Sequence, residues 1–336
     1  MNRIGKSTLV FNNKPRVHSW ASIVGYKEGQ GPLAHTFDIV LDKDDTLGEK
    51  SWEKAERKMY KESVKLAMNK GGKHPDEIQA LLGGDLLNQI ITASFAARDL
   101  GLPFLGLYNA CSTMSESLLV GAALIDGGYV ECAACAVSSH FSTAERQYRS
   151  PLELGNQRTP TQQWTVTAAG CTLLSNDPAG IAITHGTIGT VVDYGVTDAN
   201  NMGAAMAPAA AKCLKTHLDD TGLSPDNYDL IVTGDLGHVG YDLLKELMRK
   251  EGVTLGSNYV DCGREIFSEN QDVHAGGSGC GCSAALLNGY IYDKFIKREF
   301  KKVLFMATGA LLSPTSSMQG DSIPGIAHAI VLEGGL

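Results

Sequence analysis

The chain has 336 residues, 43% of them hydrophobic and 20% charged, with a formal net charge of -8. That length supplies one large core or two units of about 150 residues each. The acidic balance, with no run of lysine and arginine, excludes a nucleic-acid footprint and a polybasic membrane anchor, and leaves a small ligand or a protein as the partner.

In chain order, "MNRIGKSTLVFNNK" lacks the continuous apolar core of a signal peptide, and no later stretch has the roughly 18 apolar residues of a spanning helix. The chain is therefore expected to be made and kept on the cytosolic side. "SWEKAERKMYKESVKLAMNKGG" places Trp52, Ala55, Met59, Val64 and Ala67 near one face and ends on glycines, which predicts a surface-docked helix. "LDKDDTLGEK" before it lacks the glycine and distal glutamate of a calcium loop and reads as a solvated turn. "IQALLGG", "LPFLGLY" and "ECAACAVSS" are short apolar runs bounded by Gly, Pro or Ser, the pattern of strands buried on both faces. "TQQWTVTAAGCTLLSND" reads as a strand pair, with the turn out of it at Asn176, Asp177 and Pro178. "GIAITHGTIGTVVD" then restarts the pattern of "STLVFNNKPRVHSWASIVG".

The restart is part of a loose internal repeat. "DEIQALLGGDLLN" (76–88) resembles "DNYDLIVTGDLGH" (226–238), and a gapless overlay of the segments that follow pairs Cys111 with Cys282. Two related α/β halves follow, 1–180 and 181–336, with helices covering mainly parallel sheets.

Several residues carry chemistry. Cys111, in "NACSTMSESL", stands where a helix begins; unpaired amides and the helix dipole there favour a thiolate, although a small buried residue kept for packing has the same pattern. Cys132 and Cys135 have metal-ligand spacing, but strand alternation sends their thiols to opposite faces. Cys280 and Cys282 lack a second ligand pair, and the eight cysteines read as buried thiols with no bound metal or disulfide framework. The glycines of "GGSGCGCSA" could expose amides to an anion or only permit tight packing. "SSHFSTAERQYR" (138–149) gathers His140, Glu145, Arg146 and Arg149, and arginine forks suit carboxylates. Asp85 and Asp235, paired by the repeat, follow apolar strands, where α/β folds collect function or cap the next helix.

A duplicated α/β chain with Ala-Cys-Ser at the head of a buried helix resembles the thiolase superfamily, especially ketoacyl-acyl-carrier-protein synthase III. "GPLAHTFD", "KSWEKAERKM", "GDLLNQ", "NMGAAMAPAAA", "YDLIVTGDLG", "VHAGGSGCGCSA" and "ATGALLSPTSS" narrow the resemblance to one branch, the stage V sporulation protein AD family of spore-forming Firmicutes. This resemblance implies a thiolase-like, five-layered α-β-α-β-α fold and a homodimer. In condensing enzymes of the superfamily the cysteine works with a histidine and an asparagine; here Gly234 falls at the histidine position and Ser278 at the asparagine position. Cys111 is then a remnant nucleophile.

The implied function is noncatalytic binding of dipicolinic acid during its uptake into the developing spore. Calcium would enter only as the dipicolinate chelate, and no other cofactor is expected. Other stage V sporulation A membrane proteins would be partners, with the chain peripheral at the spore inner membrane. Cys111, Ser112, His140, Arg146, Arg149, Asp235, Gly277, Ser278 and Gly279 are the expected ligand-binding residues, converging near the interface of the halves. Two rival readings stay open: an active acyltransferase using Cys111 with His140, His238 or His274 as base, and a ligand-free scaffold.

Overall fold

The computed structural model describes residues 2–149, 152 and 157–335. The first half contributes β1 (Arg16–Val24), β2 (Ala80–Gly84), β3 (Phe104–Gly106), β4 (Cys132–Ser139) and β5 (Ala168–Ser175). The second contributes β6 (Ile181–Thr187), β7 (Leu230–Thr233), β8 (Tyr259–Asp261), β9 (Lys302–Ala310) and β10 (Gly325–Glu333). They pair in the order β8-β7-β9-β10-β6-β1-β5-β4-β2-β3, so each half repeats the same internal order outward from a central seam. At the seam Ile181 faces Val17 and Ala182 faces Arg16. The outer strands of each half run parallel and those nearest the seam antiparallel.

The helices that cover these sheets follow from apolar spacing and end signals. In α1 (Trp52–Gly71) the buried set Ala55, Met59, Val64, Ala67 and Met68 recurs at helical period. Ser51 accepts the Lys54 amide at its start, and Gly72, at φ 63°, closes its end. With α2 (Ile91–Leu100) it forms the outer layer of the first half. α3 (Thr113–Asp126) is buried on most sides because sheets lie on both faces of it. α4 (Phe141–Tyr148) is short and leaves the end of β4. In the second half α5 (Met202–Thr221) and α6 (Gly237–Lys250) make the other outer layer. The single turn α7 (Cys262–Glu265) precedes α8 (Cys280–Leu286), which joins α3 in the middle. The result is the five-layered α-β-α-β-α arrangement. Cys132 and Cys135 fall in different apolar clusters, on opposite faces of β4 as alternation requires.

One sequence expectation is corrected here. "TQQWTVTAAGCTLLSND" does not form a pair of adjacent strands. Trp164 and Thr165 leave the main sheet and bond in parallel to Gly277 and Ser278, with the Trp164 ring stacked 3.8 Å from Phe141. A segment of the first half thereby ties directly into the glycine cluster of the second.

The middle layer is shared. Cys280 Sγ donates to Ser138 O at 2.9 Å, the Gly281 amide to Ser139 Oγ at 3.0 Å, and Thr172 Oγ1 to Asn288 Oδ1 at 2.7 Å. The inner face of the first sheet is thus covered by a helix from the second half. Residues 1–180 expressed alone should aggregate or remain molten, since that face would meet water. A sharp, cooperative thermal transition with dispersed amide spectra from this fragment would contradict the shared layer.

Candidate functional site

A cavity of about 340 Å3 opens where the halves meet. From the first half it is walled by Leu86 and Asn88 after β2, Tyr108 and Cys111 before α3, and Ala144, Tyr148 and Arg149 of α4 and its end. Met202, Ser278, Gly279, Leu311 and Leu312 close it from the second half. The walls are mainly apolar, with Arg149 the cation among the described lining residues.

Cys111 sits at a bent helix entry. Ala110 before it adopts φ 50°, rare for a residue with a side chain, and a short 3-10 turn (Ala110–Ser112) runs into α3. Behind the thiol lies Asp235, whose Oδ1 accepts Thr308 Oγ1 at 2.6 Å and whose Oδ2 accepts the Gly279 amide at 2.9 Å. The Cys111 thiol lies close enough to this carboxylate for each to shift the other's titration. Burial, and then the Asp235 charge, push the thiol well above its usual range. Burial raises Asp235 itself to about 6, against the stabilising influence of Thr308, Cys111 and Gly279. This is the opposite of nucleophile activation: a thiol held protonated by an acid.

The histidine position is filled, as well as lacking a histidine. A Cβ on Gly234 would lie 3.0 Å from Ala307 Cα and 3.2 Å from both Ser283 Cβ and the Thr308 amide nitrogen. The expected amide cradle in "GGSGCGCSA" is also occupied, because Asp235 holds the Gly279 amide, Ser139 that of Gly281 and the Gly279 carbonyl that of Cys282. Gly279 has φ 103°, which a side chain would strain, so the glycine serves a tight turn into α8.

The other expected site residues divide. The Arg149 side chain is 7% exposed, ion-pairs with buried Glu145, and keeps a buried Nε–H without an acceptor among the described residues. Glu145 is further approached by Gln162 Nε2 at 3.4 Å and Thr165 Oγ1 at 3.5 Å, and its pKa is raised by burial, with Arg149 opposing. Ser278 lines the cavity, but Gly277 is turned away and packs near Val166, Ile266 and Phe267. Ser112 is buried with its hydroxyl on the Asn109 carbonyl. His140 lies outside the cavity: Nδ1 accepts the Ser142 amide as the cap of α4, and Nε2 bonds the Asp45 carbonyl at 2.8 Å. Arg146 points away and pairs with Glu53. Neither His238, exposed on α6, nor His274, bonded to the Thr159 carbonyl at 2.7 Å, lines the cavity.

Sequence reasoning missed Tyr108, Tyr148, Met202, Leu311 and Leu312 as walls and Thr308 as a holder of Asp235. Residues in loops and at helix ends carry no periodic signal, and Thr308 is only a strand residue until the fold brings β9 beside Asp235. Asp85 does what the plainer reading allowed: it accepts the Leu87 amide at 2.8 Å and the Ala93 amide at 2.7 Å, holding the entry to α2. Asp44, in "LDKDDTLGEK", accepts Thr46 and Gly48 amides in an exposed turn. Among the described residues no group of three or more His, Cys, Asp or Glu is placed to hold a metal ion, and no helix is long and apolar enough to cross a membrane.

Among the described residues five carboxyls are no more than 1% exposed: Glu28, Glu56, Asp85, Asp235 and Asp261. Burial raises all of them, Glu28 and Asp261 to about 7. A raised carboxyl means that the native state binds more protons than the unfolded chain between the unfolded and folded pKa values, so stability falls as pH rises there. Buried His217 and His328, lowered to about 3 and about 4, act oppositely below their unfolded value near 6.5. Between pH 6.5 and 8 the acids outweigh the tail of the histidine titration, and a loss of roughly 1–3 kcal/mol is expected. Urea melts at the two pH values check this; equal or greater stability at pH 8 contradicts it.

Residues 5–333 match the profile of the Stage V sporulation protein AD family. The chain is 44% identical to Stage V sporulation protein AD of Bacillus subtilis (strain 168) over 333 residues, covering 99% of this chain and 98% of that one. Among solved structures it is similar to 3-oxoacyl-[acyl-carrier-protein] synthase III of Aquifex aeolicus VF5, with a TM-score of 0.59, 12% identity and coverage of 95% and 99% of the two chains. An acetamide-bound OleA of Xanthomonas aligns with a TM-score of 0.61 and 12% identity over 96% of this chain and 100% of that one. Those two likenesses establish the thiolase-like fold. The length and identity of the sequence matches establish more: the chain belongs to the Stage V sporulation protein AD family.

Proposed function

We propose that the protein binds dipicolinate, free or as its calcium chelate, and supports its uptake into the developing spore without turning over an acyl thioester. The observation that carries this reading is Arg149: a guanidinium almost wholly buried in an apolar wall, with an N–H unmet among the described residues. Such a group is costly unless an acceptor arrives, and a carboxylate is the acceptor it fits. Small residues beside it, Ala144, Ser278 and Gly279, leave space for a flat ring. Against acyl transfer stand the thiol held by Asp235 and the crowded Gly234.

The same reading makes the protein a homodimer, peripheral at the spore inner membrane with other stage V sporulation A proteins. Strand β3 ends the sheet with one edge unpaired among the described strands, and Leu105 on it is 48% exposed, which suits pairing with a second copy. Calorimetry with dipicolinate, with and without calcium, tests the ligand. Absence of binding in both removes the proposal and leaves the scaffold reading. Incubation with acyl-coenzyme A and intact-mass measurement tests the enzyme reading, which a stable, transferable adduct on Cys111 would favour.

A further inference from the structure

The cavity faces an incoming dianion with an unusual balance of charge. Its one described lining cation, Arg149, is already matched by Glu145. Directly behind the Cys111 and Gly279 wall stands a second carboxylate, Asp235. Among the described residues the groups around Asp235 supply no compensating cation: β9 presents the Thr308 hydroxyl, the α8 entry presents the Gly279 amide and the thiols of Cys280 and Cys282, and the α3 entry presents Cys111. From the β8 end come Cys262 and a second acid, Asp261, whose own oxygens hold the Thr233 hydroxyl and the amides of Leu236, Gly237 and Gly263. Adding two ligand carboxylates here would collect like charges in a low-dielectric site.

Resting on the dipicolinate reading, we infer that the dianion is bound together with a proton, taken up by Asp235 at the back of the cavity. The Asp235 carboxyl can accept that proton without moving. Thr308 Oγ1 is a hydroxyl that can rotate to accept instead of donate, so the protonated acid keeps its 2.6 Å contact while Oδ2 continues to accept from Gly279. The proton comes from solvent and leaves with the ligand, so the step balances. Asp235 is raised only to about 6, so it is mostly ionised at pH 7 in the empty site and has room for the proton. Glu145 remains the partner of Arg149, which keeps the guanidinium oriented.

The linkage has a definite sign. Below about pH 6 the acid is already protonated and affinity is flat. Above it, affinity falls by about tenfold per pH unit, as one proton must be acquired for each ligand. Titrations of sodium dipicolinate into the wild-type chain at pH 7.5, in phosphate and in Tris, should give apparent enthalpies that differ by the buffer ionisation enthalpy times about one proton. Asp235→Asn, a neutral isostere of the protonated acid, should bind at pH 8 more tightly than wild type and show no buffer dependence. Binding without proton uptake in the wild type overturns this inference and leaves the dipicolinate reading standing. Uptake that persists undiminished in Asp235→Asn also overturns it, by placing the proton elsewhere. No binding at pH 5.5 or 8 overturns both.

Discussion

Arg149→Met lowers dipicolinate affinity at least tenfold, whereas Arg146→Ala leaves it unchanged; this contrast is the expected result of titrating the two variants side by side. The two arginines lie three positions apart at the end of one short helix, and sequence alone gives no ground for separating them. The fold does. Arg149 is buried in the cavity wall against Glu145, while Arg146 is half exposed and pairs with Glu53 on α1. Truncating a buried charged contact typically costs about 2–5 kcal/mol, and an exposed ion pair about 0–1 kcal/mol. Methionine retains the aliphatic bulk of arginine, so the wall stays filled, but Glu145 would be left unpaired. The double variant Arg149→Met with Glu145→Gln removes that complication and should still bind at least tenfold more weakly than wild type. Cys111→Leu replaces the sulfur of a side chain that lines the cavity with a branched three-carbon group and should abolish binding by bulk, with Cys111→Ala nearly neutral. Unchanged affinity in both Arg149→Met and Cys111→Leu places the ligand in another part of the molecule.

What the sequence could and could not disclose divides along physical lines. The layered fold was legible because its signals are local and repeated: α1 advertises its buried face at helical period, and β2 and β4 are short apolar runs with breakers at their ends. Cys111 could be placed because the run into "ACST" has the signature of a strand turning into a buried helix. The site was legible only in part. His140, Arg146 and Arg149 share one polar segment, yet a helix of eight residues turns them in different directions, and only Arg149 reaches the cavity. The glycine amides look available in sequence because glycine hides nothing; the oxygens that occupy them belong to Asp235 and Ser139, far away along the chain. Tyr108 and Leu311 lie in loops with no period to read, Met202 is the first residue of α5, and they become neighbours only when the two halves close on each other.

Gly234→His does not create a condensing enzyme, and the variant is less stable than wild type by roughly 1–3 kcal/mol. In sequence the substitution looks like the restoration of one missing part. In the structure the part has no place to go: the first carbon of the new side chain already meets Ala307, Ser283 and the Thr308 backbone at 3.0 to 3.2 Å, and β9 is a central strand that cannot step aside cheaply. The imidazole would also enter beside two buried acids, and Asp235, next to the Cys111 thiol, would take its positive charge in an ion pair and leave the sulfur protonated. Ser278 would still stand where an amide donor is needed. Purified Gly234→His should therefore show a lower denaturation midpoint and no acyl adduct on Cys111 after incubation with acetyl-coenzyme A, with Cys111→Ala as the blank. Gly234→Ala separates the two arguments, since it tests crowding alone and should account for most of the lost stability. If Gly234→His melts like wild type and carries an acyl group that it passes to an acceptor, then the cavity is a condensing site short of a single residue, and the crowding drawn from Ala307 and Thr308 is wrong.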